Sequence, residues 1–227
     1  MKFLILWGAV ALASAQVAEK ANERYQTPDA REGIARTLTE SSRDARQKPR
    51  ELVAALGIKP GMTVVDFGTG PGYMLPYLSD AVGKNGRVIG QDIFSDFLAK
   101  AKERAVALSN VNFVQGNAKE TKLSPESADL VMALDVYHHL DYPAQTLAEV
   151  KRALKPNGRL AIIEYHKNDV AMGGRAKEHV RLGEDDAIKE IEENGFRLVS
   201  KKDFVPQVQW LAIFEQVTLE PKLRKLK

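Results

Sequence analysis

With 227 residues, 44% of them hydrophobic, the chain can bury one sizeable core but is short for two, which predicts a single domain with an N-terminal extension. A formal net charge of +3, built from interspersed rather than clustered charges, excludes the basic face of a nucleic-acid binder. The sequence has no cysteine, which excludes disulfides, thiolate metal sites and thiol catalysis.

The first residues read as a secretory signal. Lys2, an apolar run over 3–12 and Ala13-Ser14-Ala15 follow the order of a signal peptide, so residues 1–15 are expected to be removed, leaving Gln16 first in an exported protein. The alternative is a cytoplasmic protein with an N-terminal helix. The run is too short to span a bilayer comfortably, and no stable membrane anchor is expected. Residues 16–48 are polar, charged and rich in helix formers, with Thr27-Pro28-Asp29 opening one segment. They are predicted to form short helices outside the core. A helix over 49–56 starts on Pro49 and stops at Gly57.

From there strands and helices alternate. Strands are expected at 62–67, 87–92, 111–115, 128–134, 159–165, 196–205 and 210–216, and helices near 73–81, 95–108, 142–154 and 184–194. This predicts an α/β domain over 49–218: a Rossmann-like, doubly wound, seven-stranded sheet, mostly parallel. The turn at Pro206 is too short for a helix, so the last two strands should form an antiparallel hairpin. Residues 219–227 form a basic tail.

Between the first strand and the helix after it stands Asp66-Phe67-Gly68-Thr69-Gly70-Pro71-Gly72-Tyr73. Asp66 ends a strand where open α/β sheets bind ligands, and the glycines permit a sharp turn with close backbone approach. A dinucleotide fingerprint fails on spacing, because Tyr73 or Leu75 stands where its last glycine is required. A phosphate-binding Walker loop fails because no Gly-Lys-Ser/Thr follows.

The order Asp-x-Gly-x-Gly-x-Gly resembles the first motif of class I S-adenosylmethionine-dependent methyltransferases, and the resemblance extends over residues 49–216 in the family's order. It implies S-adenosyl-L-methionine as cofactor, with Asp66, Gly68, Thr69, Gly70 and Gly72 at its amino-acid end. Asp92, about twenty residues beyond the glycine turn, would accept from the ribose hydroxyls. Ile93 would lie on the adenine, as would Asn117 and Ala118, with asparagine where the family often has an aspartate that takes the adenine amino group. Asp135 opens the loop after the fourth strand, at the methionine end. The same loop carries Tyr137, His138 and His139, the catalytic candidates facing the methyl acceptor. Imidazole suits a base that removes a proton as the methyl arrives, although alignment alone can suffice for this reaction. The polar stretch 167–182, with Arg175, His179 and Arg181, reads as a charged connection that shapes or lids the site.

Asp135 with Asn168 and Asp169 matches the oxygen ligands of catechol-type, metal-dependent members poorly, since the Asp-Asn pair stands in the opposite order and further from the fifth strand. No metal ligand is therefore assigned. The implied partner is a small-molecule acceptor. Two rival readings are a non-catalytic binding module and an aminopropyl transferase on the same fold, the latter needing a more acidic pocket than Tyr137-His138-His139 offers.

Overall fold

A computed structural model describes residues 17–217. The signal peptide read at 1–15 and the basic tail at 219–227 lie outside them. Seven strands form one sheet: β1 (Thr63–Phe67), β2 (Arg87–Asp92), β3 (Val111–Gln115), β4 (Ala128–Leu134), β5 (Leu154–Tyr165), β6 (Phe196–Val205) and β7 (Gln209–Gln216), in the spatial order β3-β2-β1-β4-β5-β7-β6. The pairs up to β5 are parallel, while β7 runs antiparallel to both β5 and β6. The order reverses at β1, whose two neighbours are β2 and β4. That is the switch point at which open sheets bind ligands beyond the carboxyl ends of their strands.

Nine α-helices accompany the sheet among the described residues: α1 (Glu19–Asn22), α2 (Pro28–Leu38), α3 (Arg43–Gln47), α4 (Pro49–Leu56), α5 (Leu75–Val82), α6 (Ser95–Arg104), α7 (Pro143–Ala153), α8 (Ala176–His179) and α9 (Glu184–Glu193). Side chains alternate across a strand, so each of the central strands feeds two cores. On one face Val65, Val131, Ile162 and Phe214 meet Leu147 and Val150 of α7 and Ile188 and Ile191 of α9. On the other, Val64, Val88, Met132 and Ile163 meet Leu52 and Leu56 of α4, Leu75 and Leu78 of α5 and Ala101 of α6.

The boundaries differ from the expectation by two residues or more in three places. β5 begins at Leu154 instead of 159, because an irregularity in the ladder pairs Leu154 with Ala128 and Arg159 with Leu130. In this stretch Lys155 reaches back to Asp129 at 2.6 Å. α6 stops at Arg104 rather than 108, and α5 starts at Leu75 rather than 73 because the glycine turn extends to Met74. No described helix is long and apolar enough to cross a membrane.

The N-terminal extension folds as short helices that join neither large core, yet it packs onto the domain. Ala18, Ala21, Ala35 and Gln47 are buried. Thr27 caps α2 by accepting from Ala30 N–H, and Arg31 then ties the extension to α6 through Asp96 at 2.8 Å. Asn22 donates to the carbonyl of His139 and to Asp141. The extension is a cover laid across the carboxyl ends of the strands.

Candidate active site

A cavity of about 230 Å³ lies under that cover, above β1, β2 and β4. Its floor is the glycine turn. Gly68 and Gly70 have φ of 70° and 53°, conformations a side chain disfavours, and a Cβ on Gly68 would meet Val136 at 2.5 Å. Gly72 does not line the cavity, contrary to expectation. A Cβ there would press on Leu75 and Ala101 at 2.8–3.1 Å, so this glycine lets α5 and α6 pack together.

Two carboxylates hold the turn. Asp66, 3% exposed, accepts from the Thr69 hydroxyl at 2.6 Å. Asp92 accepts from Gly70 N–H at 2.8 Å and from Phe94 N–H at 2.9 Å, and a carboxylate still has lone pairs for a diol. Burial raises both to about 6. Ile93, 39% exposed, forms the adjoining wall with Phe94, Phe97 and Tyr25. The Tyr25 ring stacks on Phe94 at 6.1 Å and meets His139 edge-on at 4.7 Å.

Asn117 and Ala118 also line the cavity. The expected use of the Asn117 amide oxygen is corrected, however: it accepts from the N–H groups of Lys119 and Glu120, both at 2.9 Å, and so caps its own turn. Asp135, with φ of 57°, accepts from Gln209 at 2.6 Å and lies 3.6 Å from the Arg43 guanidinium. Burial first, then Glu164, pushes its carboxyl above the ordinary range. Arg43 and Gln209 went unnoticed in the sequence, because each reaches the site from an element far away along the chain.

The loop after β4 folds as a 3-10 turn, Tyr137–His139, and separates its three side chains. Tyr137 faces away from the cavity: its hydroxyl donates to Glu190 of α9, which Arg181 also clasps with two hydrogen bonds. It is therefore removed from the catalytic candidates. His138 and His139 do line the cavity. His138, 3% exposed, bonds through Nδ1 to the buried Glu164 carboxylate at 2.7 Å, and its Nε2 has no partner among the described residues. His139 bonds through Nδ1 to Asn22 Oδ1 at 2.8 Å. Burial depresses His138, but Glu164 outweighs it and the net direction is upward. Burial and the neighbouring histidines hold His139 well below its usual range.

His179 joins them, its ring 4.8 Å from that of His138 and 5.3 Å from that of His139. It belongs to the 167–182 connection, which is less solvated than its composition suggests. Ala171, Ala176 and Val180 are buried there against Tyr165, and the left-handed run Met172, Gly173, Gly174 turns the chain back over the site. Asn168 and Asp169 take no part in the cavity wall. The first caps Val170 and Ala171, and the second pairs with Lys177 at 2.7 Å.

These features have counterparts in known proteins. Residues 65–162 match the family described as Methyltransferase domain. The chain is 31% identical over 121 residues to the ubiquinone/menaquinone biosynthesis C-methyltransferase UbiE of Pseudoalteromonas translucida, covering 52% of this chain and 48% of that one. It is 32% identical over 115 residues to a 2-phytyl-1,4-naphtoquinone methyltransferase of Trichormus variabilis, covering 49% and 50%. The chain thus spans about half the length of these curated relatives. Among solved structures, a SAM dependent methyltransferase from Aquifex aeolicus superposes with a TM-score of 0.76 at 28% identity, over 82% of this chain and 98% of that one.

The chain has the fold of these methyltransferases, and residues 65–162 match their domain model. Its cofactor is S-adenosylmethionine. The site fits that group: Asp66 and Asp92 are buried, Asp135 is largely covered beside Arg43, and a ligand bearing a sulfonium and an ammonium supplies positive charge to these carboxylates. An aromatic and aliphatic wall for an adenine stands beside the diol-accepting Asp92.

Proposed function

We propose that the protein transfers the methyl group of S-adenosylmethionine to a small-molecule acceptor. When bound, the cofactor supplies an electrophilic methyl on a sulfonium. Asp66 and the turn at Gly68–Gly70 hold its amino-acid end, Asp92 its ribose, and Ile93 with Phe94 and Tyr25 its base. His138, His139 and His179 border the acceptor, and the covering helices exclude water from it. The observation that carries this reading is one cavity running from the glycine turn to the three histidines under a lid.

The test is a calorimetric titration with S-adenosylmethionine, followed by a search for S-adenosylhomocysteine release across hydroxyl, amine, thiol and carbon acceptors. Saturable binding with product release supports the proposal. Binding without any release favours the non-catalytic module, and an absence of binding defeats both. We also propose export, supported by Lys2, the apolar run 3–12 and Ala13-Ser14-Ala15.

A further inference from the structure

Three histidines drawn from two distant segments converge on the acceptor side of the cavity: His138 and His139 from the turn after β4, and His179 from α8. One ring nitrogen of each lies within 4.8 Å of those of the others.

The groups around the rings settle which nitrogens are free. Asn22 donates through Nδ2 to two acceptors, the His139 carbonyl and Asp141, both at 3.0 Å, so its Oδ1 must be the acceptor facing the His139 ring. His139 therefore carries its hydrogen on Nδ1 and presents a lone pair on Nε2. His138 likewise gives its Nδ1 hydrogen to Glu164, which is 1% exposed, and its Nε2 is buried without a partner among the described residues. A carboxylate behind one histidine and an amide oxygen behind the next are the supports that fix tautomer and ring orientation in metal sites. His179 adds a third imidazole, its ring 4.8 Å from that of His138 and 5.3 Å from that of His139.

We infer that His138, His139 and His179 form a binding site for a divalent transition metal of zinc type, with its open fourth position toward the methyl acceptor. Three imidazole nitrogens suit zinc. Its nitrogen ligands stand at about 2.0–2.1 Å from the ion, and a site with three protein ligands keeps a position for water or substrate. Tetrahedral donors then sit roughly 3.3 Å apart, so the rings must close by about 1.5 Å. His179, on its short helix at the edge of the cavity, is the ring placed to make that movement. The acceptor side of this inference rests on the methyltransferase reading and narrows its substrate class. A hydroxyl or thiol taking the fourth position would release its proton to water on coordination and remain as the anion, a better nucleophile than its conjugate acid.

The experiment uses the full chain, stripped with a chelator and free of S-adenosylmethionine, titrated with Zn²⁺ by calorimetry and with Co²⁺ by visible absorption. One ion per chain and the intense bands of a tetrahedral nitrogen-ligated Co²⁺ are expected. His179→Ala should weaken Zn²⁺ binding at least tenfold, and Glu164→Gln, which leaves all three ligands in place, by about 10–100-fold. Circular dichroism melting of the metal-free variants separates loss of the site from loss of the fold. No saturable binding by the wild type overturns the inference. So does a Zn²⁺ affinity that a folded His179→Ala variant leaves within twofold. Because the titration contains no S-adenosylmethionine, a failure here is distinct from a failure of the methyltransferase reading, which the cofactor titration reports separately.

Discussion

Asp66→Asn should stabilise the ligand-free protein while weakening its hold on the cofactor. Burial raises this carboxyl from 3.8 to about 6, against the lowering effects of the Thr69 hydroxyl and Arg43. The folded state therefore holds the proton more tightly than the unfolded chain, and between about pH 4 and 6 it binds the larger number of protons. Stability must fall as pH rises through that window and level off above it. A shift of this size corresponds to about 3 kcal/mol of penalty for the ionised form at neutral pH. Asparagine removes the charge and keeps an oxygen for the Thr69 hydroxyl, so the variant should recover part of that energy at neutral pH and nothing near pH 4. Asp92, raised to a similar value, would leave a residual slope. Cofactor binding should move the opposite way, weakening by about 10–100-fold as a charge-assisted contact is lost. Urea denaturation of the ligand-free protein across this pH range, paired with calorimetric titration of S-adenosylmethionine, measures both. A variant no more stable than the wild type at neutral pH, with the same dependence on pH, would refute the argument that Asp66 is a buried charge awaiting a cation.

Gly70→Val should abolish cofactor binding: its φ of 53° is strained for a β-branched residue by about 1–2 kcal/mol, and the new side chain would enter the cavity toward Leu38; isothermal calorimetry on the folded variant decides it. Tyr137→Phe should cost about 1 kcal/mol of stability through the lost hydrogen bond to Glu190, with turnover unchanged, as denaturation and steady-state rates would report. Tyr25→Ala should weaken cofactor binding without unfolding the domain, since the ring leans on Phe94 and Phe97 from the cover; a titration beside a melting curve tests both halves. Mass spectrometry of the mature protein from its native host should find Gln16 at the N-terminus, and an intact Met1 would refute export.

The sheet and its glycine turn were legible because their signals are local. Buried parallel strands read as continuous apolar runs, a glycine sequence marks a turn, and the missing crossover at Pro206 announces a hairpin. The cofactor half of the site inherits this legibility, since Asp66, Gly70 and Asp92 lie at the ends of adjacent strands whose order follows from the alternation. Where the reading failed, the deciding contact was distant for Tyr137 and local for Asn117. Tyr137 stands next to two cavity-lining histidines, yet a 3-10 turn directs it to Glu190, 53 positions away. Asn117 has the right chemistry for an adenine, and its own turn consumes its oxygen.

The acceptor half is the less legible part for the reason seen at Tyr137. Nothing within the polar connection 167–182 says that His179 will sit 4.8 Å from His138, or that Asn22 of the cover will fix the tautomer of His139, 117 positions away. These contacts exist only once the cover and the connection have both folded onto the strand ends. The cofactor half is fixed by the sheet, whereas the acceptor half is assembled by two segments packed upon it. The two halves should therefore separate under mutation. Changes in the cover or in 167–182 should alter which acceptors are used more readily than they alter the fold of the sheet, because the cover adds nothing to the two large cores that hold β1 to β7 together and 167–182 adds only the partly buried Leu182.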